Sequence, residues 1–397
     1  MAERIYLDWN ATAPLRPQAL AAAAEALEAC GNPSSVHAEG RAVRRRIEEA
    51  REQVAALVGA EPRNVVFTSG GTEANMTALC PNLVPTSPGN GPEMRPRACL
   101  VVSAIEHPSV LAGGRFARNA VEMAPVGPDG RCDLAALGRQ LAALAQKGVR
   151  PLVSIMLANN ETGVVQPVSQ AAGLVHEAGG VLHVDAVQGA GRIACNINDL
   201  GADLLSLSGH KIGGPKGVGA LIKRDQALHF ADPLVKGGGQ ERGARAGTEN
   251  VPGIAGFGAA AALARQALAE DSARMRALRD RLEAGLKAMM PEAIVFGAEA
   301  ERLPNTTLFA VPGIKAETAV IALDLDGIAV SSGAACSSGK VQPSHVLEAM
   351  GVAPPLARGA IRASLGPTTT EFEVDRFLDA WLRLSKTLLK ESRGIAA

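Results

Sequence analysis

The chain lacks any run of about 18 apolar residues, which excludes a helix that crosses a membrane. It has no excess of charge of either sign. Its 40 basic and 40 acidic side chains cancel, so nothing favours nucleic acid or an anionic membrane surface as a partner. No basic segment followed by an apolar stretch opens the sequence, and a secretory signal is not expected. Cys30, Cys80, Cys99, Cys132, Cys195 and Cys336 form no Cys-x-x-Cys pair and no His–Cys cluster at zinc-finger spacing. A disulfide scaffold and a structural metal are therefore poor readings. Scattered thiols suit a reducing compartment, and a cytoplasmic location is expected. Repeats and low-complexity tracts are absent. The basic run Arg41 to Arg46 is followed by Glu48, Glu49 and Glu52, as on a solvated helix face.

What is present is alternation. Short β-branched or apolar runs at 65–68, 100–103, 152–156, 181–184, 204–208 and 220–222 are separated by helical stretches at 41–58, 72–79, 134–146 and 168–178. That rhythm predicts an α/β architecture, a mostly parallel sheet with helices on its faces. At 397 residues the chain exceeds one simple core. We expect a large domain over 15–260 and a smaller α+β domain made of 1–14 and 261–397. The smaller one has strands near 306–310, 329–331 and 360–364, a long Ala-rich helix over about 254–290 and a last amphipathic helix over 371–389. Residues 84–97, rich in Pro and Gly, read as a surface excursion.

Ligands of such sheets sit at the carboxyl ends of the strands, where the polar motifs fall. Ser69-Gly70-Gly71-Thr72-Glu73 offers a strand-to-helix turn with two glycines and a hydroxyl, suited to a phosphate; an ordinary helix start has the same look. Asp185 ends the run Val181 to Val184, where a carboxylate can pair with a protonated pyridine nitrogen, or simply cap a turn. Gln188 follows three residues on. Ser208-Gly209-His210-Lys211-Ile212-Gly213-Gly214 is more specific. A lysine there can form an imine and have its pKa lowered by its surroundings, with Ser208 and His210 on a phosphate. Lys216 is the rival within the motif, in a setting that suits a turn. Cys336 lies among Ser, Gly and Ala, poor material for a core, where a thiol could stay exposed and reactive. A buried structural role suits the other five cysteines better.

Asp185-Ala186-Val187-Gln188 followed by Ser208-Gly209-His210-Lys211 resembles the class V aminotransferase superfamily of pyridoxal-phosphate enzymes, and more narrowly the cysteine desulfurases that feed iron–sulfur cluster assembly. The resemblance also covers 6–12, 31–37, 68–73, Glu106-His107, 159–163, 245–248 and 331–336. It implies a fold-type I enzyme with pyridoxal 5'-phosphate bound as a Schiff base to Lys211. Asp185 would hold the pyridine nitrogen, Gln188 the phenolic oxygen and His107 the ring face, with His107 also an acid–base group. Gly71, Thr72, Ser208 and His210 would hold the phosphate, and Thr248 the phosphate of a neighbouring subunit in a homodimer, with 236–248 an intersubunit arm. Arg362 would take the carboxylate of L-cysteine, with Asn160 beside it and near the cofactor oxygen. Cys336 would attack the substrate sulfur, keep it as a persulfide and pass it to an acceptor protein such as an iron–sulfur scaffold, leaving alanine.

Ala246 and Ala334 stand where many relatives have serine, and neither change removes a functional group. The small-residue run around Cys336 is similar to the branch with a mobile catalytic loop. Two other readings are a selenocysteine lyase, or another class V lyase using the same lysine, and a non-catalytic sulfur-relay protein on a decayed fold. Joint retention of Lys211, Asp185, His107, Cys336 and Arg362 argues against the last.

Overall fold

The computed structural model describes residues 4–85, 99–333 and 344–394. Its centre is a seven-stranded sheet in the spatial order Val65–Thr68, Gly219–Lys223, Leu204–Ser208, Val181–Asp185, Leu152–Ser154, Leu100–Ser103, Val121–Ala124. The five strands from Leu204–Ser208 to the Val121–Ala124 edge run parallel. Gly219–Lys223 is antiparallel to both its neighbours. The expected sheet is therefore present, with one reversed strand. Every residue of Val181–Asp185 and Leu204–Ser208 is buried, because helices cover both faces of the sheet. Such strands read as largely apolar runs, here interrupted by His183 and Ser206.

One core lies between the sheet and the helices Ala38–Leu57, Leu134–Gln146 and Val168–Glu177. The opposite face packs under Gly71–Ala78 and Pro108–Leu111. A separate core gathers Ile5, Leu7, Leu282, Phe309, Phe377 and Trp381. There the rings of Phe309 and Trp381 meet edge to face, 5.1 Å between centroids. Beneath it lies a four-stranded sheet ordered Ile294–Val295, Thr306–Ala310, Ile361–Ser364, Ser331–Ser332.

The 39-residue helix Val251–Met289 serves both cores. Phe257, Ala260 and Ala264 enter the first, and Leu278, Leu282 and Leu286 the second. It starts cleanly, because Asn250 accepts a bond from Gly253 N at 3.2 Å. Residue 260 lies inside this helix.

The N-terminal segment links the two cores. Ile5–Tyr6 pairs in parallel with Ile328–Ala329, whereas Ser331–Ser332 pairs with Ile361–Arg362. The single strand expected at 329–331 is thus two, and the chain changes partner at Val330. Beyond Tyr6 the backbone runs on to the lysine turn, where Ala13 N donates to His210 O at 2.9 Å. Most of the 84–97 excursion, from 86 on, lies outside the described residues.

Candidate active site

The site forms where strand ends of the large sheet meet residues 8–13 and the strand Ile361–Ser364. Lys211 occupies a single helical turn, Gly209–Lys211, directly after Leu204–Ser208. Its amine donates to the carbonyls of Asn10 at 2.5 Å and Ala11 at 2.9 Å. Burial, helped by the Arg192 and Arg362 charges, lowers its pKa to about 7, against the pull of Asp8 and Asp185. Desolvation of an ammonium that has only carbonyl partners explains the size of the effect.

Asp185 is buried at the end of its strand. Oδ2 accepts from Asn75 Nδ2 at 2.8 Å and Oδ1 from Val187 N at 3.0 Å. Among the described residues no cation lies within ion-pair distance of it. Asn75 also donates to Ser109 Oγ at 2.9 Å, and Ser109 Oγ lies 2.8 Å from His107 Nδ1. Since Ser109 N donates to that same Nδ1 at 3.2 Å, Nδ1 is the acceptor and the ring proton belongs on Nε2. His107 is exposed and caps the short helix Pro108–Leu111. Desolvation by the cleft walls and the Lys211 charge lower its pKa, and Asp185 opposes them.

Gln188 donates to Asn10 O at 3.0 Å and accepts from Arg192 Nη1 at 2.6 Å. Its amide is therefore engaged at both ends, and reaching a ligand oxygen would take it from Asn10. Arg362 donates to Asn160 O at 2.9 Å and to Asp8 Oδ1 at 2.7 Å. Among the described residues its buried Nε has no partner. Asp8 thus already sits on the guanidinium expected to take a substrate carboxylate, so a substrate would compete for Nη2.

The turn at 69–72 follows Val65–Thr68 and opens the helix Gly71–Ala78, whose first turn has no side-chain cap. Gly71 is required by packing: a Cβ there would fall 2.9 Å from Val187 Cγ2 and 3.4 Å from Ser208 Cβ. Ser208 is buried beside it, and Thr72 is exposed. His210 Nδ1 lies 2.7 Å from Thr12 Oγ1, and burial lowers the imidazole to about 4, so it is neutral with only Nε2 left for a phosphate. Thr248 is exposed and shares a cleft with Ser69, Arg245 and Gly247. Cys336 lies outside the described residues, as does Ala334. Of the other cysteines, Cys80, Cys99, Cys132 and Cys195 are buried, whereas Cys30 is exposed and does not fit the buried role expected of it. Burial pushes the Cys99 thiol up to about 11 and those of Cys132 and Cys195 to about 12.

Asp8, Asn10, Asn75 and Arg192 escaped the reading of the sequence as site residues. For the first two the matched stretch 6–12 was the available signal; Asn75 and Arg192 had none. Among the described residues no cluster of three or more His, Cys, Asp or Glu could hold a metal ion, and no helix is long and apolar enough to cross a membrane.

The aminotransferase class-V family model matches residues 5–377. The chain belongs to that family. A cysteine desulfurase of Cereibacter sphaeroides is 48% identical, over 95% of this chain and 94% of its own length. The cysteine desulfurase NifS of Azotobacter vinelandii is 41% identical over 94% of this chain and 90% of its own length. In three dimensions, a NifS-like protein of Rickettsia africae superposes with a TM-score of 0.85 at 36% identity, covering 97% of this chain and all of the other. The cofactor of this class V enzyme is pyridoxal 5'-phosphate, and the side chains fit it. A buried carboxylate without a cation suits a pyridinium nitrogen, a lysine amine with a lowered pKa suits an aldehyde, and an uncapped helix start suits a phosphate.

Proposed function

We propose that this chain is a pyridoxal-phosphate-dependent cysteine desulfurase, which takes sulfur from L-cysteine onto Cys336 and releases L-alanine. The reading rests above all on one juxtaposition: the partly neutral Lys211 amine close to Asp185, in a chain whose relatives across 95% of its length carry that name. Bound pyridoxal 5'-phosphate supplies an electron sink that lets bonds to the substrate Cα and Cβ be weakened. The residues of this chain do the rest. With a pKa of about 7, roughly half of the Lys211 amine is unprotonated near pH 7, able to bond an aldehyde and later to accept the Cα proton. Asp185 would hold the pyridine nitrogen. His107, with its proton on Nε2 and an exposed face, would cover the ring and exchange a proton with the incoming amine or thiol.

Arg362 would bind the substrate carboxylate in competition with Asp8 for Nη2, with Asn160 beside it and near the cofactor oxygen. Gly71, Thr72, Ser208 and His210 would hold the phosphate, Gln188 the ring oxygen, and Thr248 the phosphate of a second subunit in a homodimer. The Cys336 thiolate would attack the substrate sulfur. One S–S bond forms as the C–S bond breaks, and the proton lost by Cys336 is balanced by protonation of the three-carbon product to alanine. The persulfide would pass to an acceptor for iron–sulfur cluster or other thio-cofactor assembly in the cytoplasm. In this reading residues 15–260 form the cofactor domain, and 1–14 with 261–397 the smaller domain that carries Cys336.

Purified protein given L-cysteine and a thiol reductant is expected to release alanine and sulfide in equal amounts. Cys336→Ala should keep its cofactor and lose sulfide production, while Cys30→Ala keeps both. No alanine from the wild type, or wild-type sulfide release from Cys336→Ala, would overturn the assignment.

A further inference from the structure

The glycine-rich stretch 236–248 is tied down at several points. Ala246 N donates to Val235 O at 3.0 Å and Gly247 N to Gln240 Oε1 at 3.2 Å, closing the loop on itself. Inside it, Glu241 and Arg242 have φ of 46° and 54°, left-handed values that non-glycine residues adopt only when their surroundings impose them. The imposing contact is visible. The Glu241 carboxylate is buried and accepts two bonds from Arg51, at 2.8 and 2.9 Å, and one from Phe67 N at 3.0 Å. Arg51 in turn stacks over the Phe67 ring, 4.8 Å from its centroid.

Phe67 belongs to the strand that delivers the turn Ser69–Thr72. The same loop reaches the far side of that turn through Arg245, whose Nε donates to Glu73 Oε1 at 3.0 Å. The other oxygen of Glu73 accepts from Ser69 N at 2.8 Å. The turn is thus gripped before and after its glycines by one loop. It needs such support, because Gly70 gives the helix no side-chain cap, and a seat made of backbone N–H groups works only if they are held in direction. Arg245 has a second effect: it faces the Glu73 carboxylate, which would otherwise stand as an unbalanced negative charge beside a phosphate.

We propose that Glu241 and Arg245 are positioning residues for the phosphate turn, and that through them the 236–248 loop, whose Thr248 is assigned to the neighbouring subunit, also acts within its own subunit to set the affinity for the cofactor's phosphate. The proposal rests on the reading of Ser69–Thr72 as the phosphate seat. Neither residue touches reacting atoms.

The test titrates the full-length apoprotein with pyridoxal 5'-phosphate and, separately, with pyridoxal, which lacks the phosphate, and follows visible absorbance. For Glu241→Gln and Arg245→Ala we expect the Kd for pyridoxal 5'-phosphate to rise about tenfold or more, with that for pyridoxal unchanged. Adding Glu73→Gln to Arg245→Ala should restore part of the loss, because it removes the uncompensated charge while keeping an acceptor for Ser69 N. Equal weakening of both ligands would reduce the loop to general structural support and overturn the proposal, as would no weakening of either. If Glu241→Gln fails to fold, the partly exposed Arg245→Ala and its double variant decide the matter. A wild type that binds both ligands equally would instead show the phosphate seat to be misread. A wild type that discriminates while its variants discriminate to the same degree would sink only the loop's role.

Discussion

Asn75 donates to Asp185 Oδ2 at 2.8 Å through the same nitrogen that reaches Ser109 Oγ. One amide therefore sets both the carboxylate at the end of the central strand and the hydroxyl that bonds His107 Nδ1. Asn75→Ala leaves both acceptors short of a donor in a buried place. A loss of about 1–3 kcal/mol of stability is expected, with kcat reduced about tenfold or more. Denaturant unfolding and steady-state alanine release measure the two. An unchanged kcat would mean that Asp185 and His107 hold position without it.

The lowered pKa of Lys211 has a sign that can be tested in the apoprotein. In the unfolded chain the amine keeps its proton up to about 10.5, whereas in the fold it loses it near 7. Between these values the unfolded state binds more protons, so stability rises with pH across that window. The cost of burying the ammonium is present in full below about pH 7 and is gone above about 10.5. Lys211→Met should flatten this part of the stability profile. The wild-type rate of reaction with pyridoxal should climb through about pH 7 as the free amine appears. A midpoint near 10 would contradict the burial described.

Glu161 makes the opposite prediction. Burial raises its carboxyl to about 7, against the opposing bond from Ser344 Oγ and the charge of Arg362. Between about 4.5 and 7 the folded state holds a proton that the unfolded state has released, so stability falls as pH rises. Glu161→Gln keeps an acceptor for Ser344 and removes the fall. The variant should gain on wild type above pH 7, by about 3 kcal/mol at most. Thermal unfolding at pH 5 and pH 8 compares them.

Gly219 controls the approach of two strands. A Cβ there would lie 2.6 Å from Gly70 C and from Leu207 O, both backbone atoms that cannot swing aside. Gly219→Ala is expected to cost about 1–3 kcal/mol and to shift the turn at 69–72. A weakened affinity for pyridoxal 5'-phosphate together with a lower Tm would report both effects. An alanine that leaves both unchanged would mean that the strand edge yields.

The central strands and the helices between them were legible because residues buried on both faces leave largely apolar runs. Lys211 and Asp185 stood out because a charged group at the end of such a run is conspicuous, whereas Arg362, inside the strand Ile361–Ser364, came only from the resemblance. The direction of Gly219–Lys223 was not legible, since a short apolar strand reads the same either way. Asn10 was hidden for another reason. It meets Lys211 across 201 positions of sequence, and an asparagine near a chain end carries no local sign of that contact. The split at Val330 was equally invisible, because only the partners on either side distinguish one strand from two. The left-handed pair Glu241-Arg242 is not encoded by glycine; the buried bonds of Glu241 to Arg51 and Phe67 N account for it.

The strand Ile5–Tyr6 pairs with Ile328–Ala329, and Ser364 N donates to Leu7 O at 2.8 Å. During synthesis these first residues leave the ribosome long before their partners exist. At about 5–20 residues per second the wait lasts roughly a quarter of a minute to a minute. The large sheet can form in that interval, but the segment that supplies Asp8 and Asn10 stays an unpaired edge until Ile328–Ala329 and then Ile361–Ser364 emerge. A nascent chain stalled earlier would offer cofactor a lysine without its surroundings, and would offer other chains an open strand.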